Sequence, residues 1–299
     1  MWKKVTELRK RIFILLILTI FMVTGCNVKK DNMEGITIYT TIYPIRYLID
    51  SLYGDNSTIY SIYPAGVDTN EFELSDKKLE EYANTDLFVF NSLDRDRDFA
   101  VKMINKNKNL KVIDVSLGMT YDYDIAELWF NPYNYLMMAQ NTKSGLLEYV
   151  TNPYLISNDD DTGIEDKYEI LKYNLSRLDA DMKENILEAT YNTIVVDNDM
   201  FKVLSKYGLN VISLEENDNL TDTTINEVKK LINNGSIKYI YSSKEETNET
   251  AKELIDNYGL ELVTLNTMET IDGGVTNSNE DYITIMNSNL DLLKKELYK

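Results

Sequence analysis

The apolar positions of this chain follow two rhythms. Short runs rich in β-branched and aromatic residues recur at 36–43, 57–63, 86–91 and 110–115, and again at 193–196, 210–214, 237–241 and 261–265. Runs of this length separated by helix-length segments read as the strands of βαβ units, and so as parallel sheets. Between the two groups Ile164, Tyr168, Leu171, Leu175, Leu178, Met182 and Ile186 recur at spacings of three and four. That is the buried face of one helix of about six turns, roughly 34 Å long at 1.5 Å per residue. Helix-stop signals stand at Tyr53-Gly54, Tyr207-Gly208, Asn234-Gly235 and Tyr258-Gly259, and a last helical pattern covers 279–297. The expected fold is α/β. Two lobes, each a four-stranded mostly parallel sheet flanked by helices, are bridged by one long helix and leave a cleft between them. The expected division is an N-terminal lobe at 36–160, a linking helix at 161–190 and a C-terminal lobe at 191–299.

The start of the chain follows neither rhythm. Lys3, Lys4, Arg9, Lys10 and Arg11 precede an apolar run over 12–23, which closes on Val23-Thr24-Gly25-Cys26. A run this short falls below the roughly 20 residues of a membrane-spanning helix and reads as an export signal. The residues before the cysteine resemble a bacterial lipobox, which implies cleavage before Cys26 and a lipid on its thiol. Residues 1–25 are thus expected to be a signal peptide and 26–35 a tether.

Composition narrows the chemistry. Among 299 residues, 31 Lys and Arg face 49 Asp and Glu, a formal charge of −18. Nucleic acid is excluded as a partner, because such binding depends on cationic side chains neutralising phosphates. With no histidine and one cysteine, neither a Ser-His or Cys-His catalytic pair nor an imidazole metal site can be assembled. No pair of acids is placed for glycosidase work, and the chain is not expected to be an enzyme. One acidic loop, Asn158-Asp-Asp-Asp-Thr-Gly163 with Glu169 beyond, partly matches a calcium-binding template. It reads better as a turn into the long helix, with Thr162 as N-cap and Glu165 completing a capping box.

Several segments together resemble a known family. They are Thr41-Ile-Tyr-Pro44, Gly54-Asp55, Tyr63-Pro-Ala-Gly-Val-Asp-Thr-Asn-Glu-Phe-Glu-Leu-Ser75, Asp86-Leu-Phe-Val-Phe-Asn91, Trp129-Phe-Asn-Pro132, Lys206-Tyr-Gly-Leu209, and Tyr282 with Asn289-Leu290. In order and spacing, over residues 36–299, they are similar to the metal-binding solute-binding lipoproteins of zinc and manganese ABC transporters, the cluster A-I family. The resemblance implies an extracytoplasmic protein, lipid-anchored to the bacterial cell membrane and monomeric. It would serve a permease and an ATPase by holding a metal ion in the interlobe cleft.

The family's four ligand positions fall on Asn70, Glu127, Asp197 and Asn266, where the usual histidines and aspartate are all replaced. Two carboxylates and two amide oxygens suit manganese, magnesium or calcium better than zinc. The expected solute is therefore a divalent cation, manganese ahead of zinc, with Glu127 and Asp197 as the main ligands and affinity lost below about pH 4. Two alternatives are open at this point. The fold could have lost its metal and serve as an adhesin or other surface interaction lipoprotein. A small organic solute could instead be held by tyrosines such as Tyr39, Tyr43, Tyr63, Tyr121 and Tyr123, drawn from the 22 in the chain.

Overall fold

Eight strands form, one at each expected place, and they divide into two sheets. In the computed structural model, which describes residues 33–64, 66–69, 71–269 and 280–299, the first half runs β1 (Ile36–Thr40), α1 (Tyr43–Tyr53), β2 (Ser57–Ser61), α2 (Asp76–Ala83), β3 (Leu87–Phe90), α3 (Asp96–Lys106) and β4 (Lys111–Asp114). Helices α4 (Glu127–Phe130), α5 (Pro132–Tyr149), α6 (Pro153–Ile156) and α7 (Ile164–Leu187) follow. The second half is β5 (Thr193–Val196), a 3₁₀ helix (Asp199–Tyr207), β6 (Asn210–Ser213), α8 (Asp222–Asn233), β7 (Tyr239–Ser242), α9 (Glu249–Tyr258), β8 (Glu261–Thr264) and α10 (Tyr282–Leu297). The expected signal segment, Cys26 and Asn70 lie outside the described residues.

Every strand pairing is parallel, and both sheets have the same order, β2-β1-β3-β4 and β6-β5-β7-β8. In each sheet the chain adds a strand on one side of the first strand and then crosses to the other. The reversal lies between β1 and β3 in one lobe and between β5 and β7 in the other. At such a reversal the loops leaving two adjacent strands diverge and open a crevice at their carboxyl ends.

The strands are shorter than the apolar runs suggest. Residues 41–43 leave β1 early because Tyr43 and Pro44 already form the first turn of α1, where proline's missing N–H costs nothing. The seventh strand starts at Tyr239 rather than 237, since the Ile237 N–H bonds the Leu231 carbonyl and belongs to the end of α8. Three of the four glycine stops act as expected: Gly208, Gly235 and Gly259 have φ of 100°, 78° and 69°, a region that favours glycine. Gly54 instead keeps a right-handed conformation and continues into a 3₁₀ turn.

Helix α7 buries all seven of its periodic residues. One continuous apolar core runs from the first sheet through α5, α7 and α10 to one face of the second sheet. A smaller cluster around Val195, Ile240 and Val228 fills the second sheet's other face. The lobes therefore share packing. Among the described residues no helix is long and apolar enough to cross a membrane.

The entry to α7 differs from the expected capping box. Its N-cap is Gly163, without a side-chain cap. Thr162 instead bonds Asn158, whose Oδ1 accepts the Asp160 and Thr162 N–H groups and the Thr162 hydroxyl. The acid that closes the turn is Asp166, accepting from the Ser157 hydroxyl and the Asn158 N–H at 2.9 and 3.1 Å. These bonds hold its carboxyl below the usual range. The loop folds so tightly that a Cβ on Gly163 would lie 2.6 Å from the Ile156 carbonyl oxygen and from Ser157 Cα. Backbone cannot yield as a side-chain tip can. Gly163→Ala should therefore cost about 2 kcal/mol, read as a lower urea midpoint with an unchanged slope.

Candidate functional site

The carboxyl edges of both sheets meet at one cavity of about 340 Å³. From the first lobe it is lined by Ile42 after β1, Gly66, Asp68 and Thr69 after β2, Asp94 after β3, and Asp124, Ile125 and Trp129 after β4. The second lobe contributes Lys244 after β7 and Glu269 after β8. Four carboxylates and one ammonium thus surround a common space with an apolar side.

Local hydrogen bonding fixes these loops. Asp94 and Asp124 each use one carboxylate oxygen on a nearby N–H, of Arg95 at 2.6 Å and of Ala126 at 2.8 Å. The Arg95 guanidinium reaches the Thr69 carbonyl at 2.9 Å and Glu73 at 3.1 Å, tying the loop that carries Asp68 to the start of α3. The Lys244 backbone is held through its N–H to the Ser242 hydroxyl at 3.1 Å. Its side chain is exposed, and no ion pair of Lys244 is found among the described residues.

Trp129 seals the seam beside the cavity. Its indole N–H donates to the Thr267 carbonyl at 2.8 Å, while its own carbonyl accepts from the Tyr282 hydroxyl at 2.6 Å. Burial, and next Asp124, push the Glu269 carboxyl up to about 7, with Asp94 and Asp68 acting the same way and Lys244 pulling it down.

Three of the four positions expected as ligands lie among the described residues. Glu127 is buried, and its carboxylate accepts the backbone N–H groups of Tyr123 at 2.6 Å, Asp124 at 3.0 Å and Asp122 at 3.3 Å. It organises the loop that presents Asp124 and is not among the residues lining the cavity. Asn266 is exposed, and its side-chain oxygen accepts the Met268 N–H two residues on. Asp197 stands directly after β5, nine-tenths buried. Its Oδ2 accepts the Thr247 hydroxyl at 2.8 Å, whereas Oδ1 is buried without a partner. Asn91 Nδ2, directly after β3, is buried and unpaired as well. Buried polar atoms left unpaired are costly, and in a crevice they are what a ligand or water can satisfy.

Three of the expected positions stand close in sequence to an acid that lines the cavity, whereas the loop after β5, which carries Asp197, contributes none of the lining. Asp68 stands two before Asn70, Asp124 three before Glu127, and Glu269 three beyond Asn266. No spacing rule separates these pairs, because the turn geometry of each loop decides which carboxylate faces the cavity. Asp94 and Lys244 follow β3 and β7, and only the shared carboxyl edge of the strands pointed to them.

Residues 38–296 match the family described as zinc-uptake complex component A, periplasmic (ZnuA). The chain belongs to the ZnuA family. It is 24% identical over 313 residues to the zinc-binding lipoprotein AdcA of Streptococcus pneumoniae serotype 4, covering 96% of this chain and 61% of that protein. It therefore spans about three fifths of AdcA's length. It is 22% identical over 286 residues to the high-affinity zinc uptake system protein ZnuA of Bacillus subtilis, covering 90% of this chain and 89% of the relative. The solved structure of the Zn(II)-bound ZnuA-like domain of pneumococcal AdcA superposes with a TM-score of 0.69 at 21% identity, covering 89% of this chain and all of that one. The two-lobe α/β fold of this ZnuA-family chain is thus the one its parallel sheets describe.

The raised Glu269 gives a pH signature. The folded state holds a proton that the unfolded chain releases near 4.5, so this stabilisation is full below about 4.5 and is lost as pH rises through about 7. Glu269→Gln should match the parent's stability at pH 4.5 and exceed it by about 1–2 kcal/mol at pH 8. Urea unfolding at the two pH values measures the difference.

Proposed function

We propose that this ZnuA-family chain is the extracytoplasmic solute-binding subunit of a metal-type ABC importer, without a catalytic role, and that it captures a divalent cation in the interlobe cavity. The observation that carries this reading is the convergence of Asp68, Asp94, Asp124 and Glu269 from both lobes on one space at the carboxyl edges of the two sheets. Carboxylates facing each other in a partly buried cleft repel unless a cation or protons intervene, and burial first, then Asp124, raise the Glu269 carboxyl.

Zinc is the first candidate for the solute, since the relatives are named for zinc. This reverses the manganese-first expectation drawn from donor chemistry alone. The oxygen-only side chains still leave manganese as a competitor and argue for weaker zinc binding than a nitrogen or sulfur site gives. Among the described residues no three acids are grouped closely enough to grip an ion together, so loading requires the two sides of the cavity to approach. Asp197, whose Oδ1 is buried without a partner, is not among the residues lining the cavity and stands outside this set. Cys26 would carry the lipid that holds the protein at the membrane, where the permease and ATPase act.

Thermal melts and calorimetric titration with zinc, manganese, calcium and magnesium test this. One of the four should raise the melting temperature and give a saturable isotherm. Asp124→Asn, which keeps the bond to Ala126 but removes the charge, should weaken that binding about tenfold or more. Absence of heat and of any melting shift with all four would overturn the proposal.

A further inference from the structure

The cavity is poorly built for a bare ion. Its volume of about 340 Å³ exceeds by roughly tenfold the 30 Å³ that one water molecule occupies in the liquid. A chain without histidine cannot supply imidazole, and its single cysteine stands at position 26. The one acid on an expected ligand position nearest Trp129 is withdrawn, because Glu127 is committed to three backbone N–H groups. Among the described residues no three acids are grouped closely enough to hold an ion, so a solute that brings donors of its own fits this cavity better.

Two features of the lining show what kind of molecule that is. Lys244 places a positive charge in the lining. An ammonium there weakens the attraction for a naked dication but attracts a carboxylate that travels with the metal. Ile42, Ile125 and Trp129 add an apolar side, which does nothing for a hydrated ion and suits a carbon skeleton. Opposite charges in one cavity with an apolar side match a solute that has a cationic centre, an anionic end and an organic body.

We propose that the solute of this cleft is a divalent cation already held by a small amino-carboxylate chelator, as a one-to-one complex of net positive charge. The chelator's own donors hold the metal on the acidic side of the cavity, and the chelator's carboxylate faces Lys244. The nitrogen donors that zinc prefers and this chain lacks arrive with the solute. The proposal rests on the cation reading above and specifies the form in which the cation is taken. An outer oxygen of a metal-bound carboxylate can still accept a charge-assisted hydrogen bond, so Lys244 discriminates between the complex and the ion.

The test uses a sign that an ordinary metal site cannot give. The full chain is dialysed to equilibrium against zinc chloride alone, against zinc with equimolar L-histidine, and against zinc with equimolar glycine, and retained metal and amino acid are both measured. At least one amino acid should raise zinc retention, tightening apparent binding about tenfold, with protein, zinc and amino acid at one to one to one. Lys244→Gln should abolish that gain and, by removing a like charge from the cavity, tighten binding of zinc alone, and Lys244→Arg should keep it. If both amino acids lower zinc retention, they compete as chelators, and the proposal is overturned while the cation reading stands. Equal zinc retention with and without them overturns it in the same way. Retention of amino acid without zinc identifies an organic solute and overturns it too. If no zinc is retained in any arm, this proposal falls, and the titration with all four cations decides the cation reading separately.

Discussion

The seam around Trp129 is the contact on which the rest of the molecule depends. One residue bonds the second lobe through its indole N–H and the last helix through its carbonyl. The Tyr282 ring that donates to it stacks on Tyr135 at 4.0 Å between centroids, and the Tyr135 hydroxyl in turn reaches the Pro44 carbonyl at 2.6 Å. A loop of the second lobe, the last helix, the fifth helix and the first helix thus meet in one buried aromatic group. Such polar tips on large apolar bodies join elements that apolar packing alone would leave free to slide. Because the seam borders the cavity, the spacing between its two sides is set where the seam closes.

This continuity of packing explains why the site is a crevice rather than a pocket within one lobe. Each sheet has the same strand order, and the loops after β1 to β4 face those after β7 and β8 across the cavity. Charge then accumulates by geometry. Acids that are ordinary turn residues within their own loops become neighbours when two carboxyl edges face each other, and the rise of Glu269 follows from burial first and then from that approach. Asp96 shows the contrasting case within one lobe. It is buried and accepts the Tyr63 hydroxyl at 2.6 Å, and burial pushes it up to about 6. It supports the loop after β2 from below.

Glu127 illustrates why correspondence of position does not transfer a role. A histidine at that point could reach outward with a ring nitrogen. A glutamate there, directly after a loop with three unpaired N–H groups, is captured by them, since a carboxylate among converging backbone donors gains several charge-assisted bonds at once. The same bonds stiffen the turn carrying Asp124. The exposed Asn266, by the same local logic, closes on the Met268 N–H in a short polar turn.

Periodicity along the chain determined the eight strands, their parallel sense, the linking helix with its seven buried residues, and the absence of histidine chemistry. These are properties of local pattern and composition, and they survive whatever surrounds them. Strand order also marked the carboxyl ends beside each reversal as the place where a ligand gathers. Which residue of each loop faces the cavity was decided only in the folded molecule. Asp68, Asp124 and Glu269 differ from their neighbours by two or three positions of turn geometry, a distance over which a side chain can point in any direction. That choice is made by backbone hydrogen bonds and by contacts between residues more than a hundred positions apart, such as Trp129 with Thr267, which no linear pattern records.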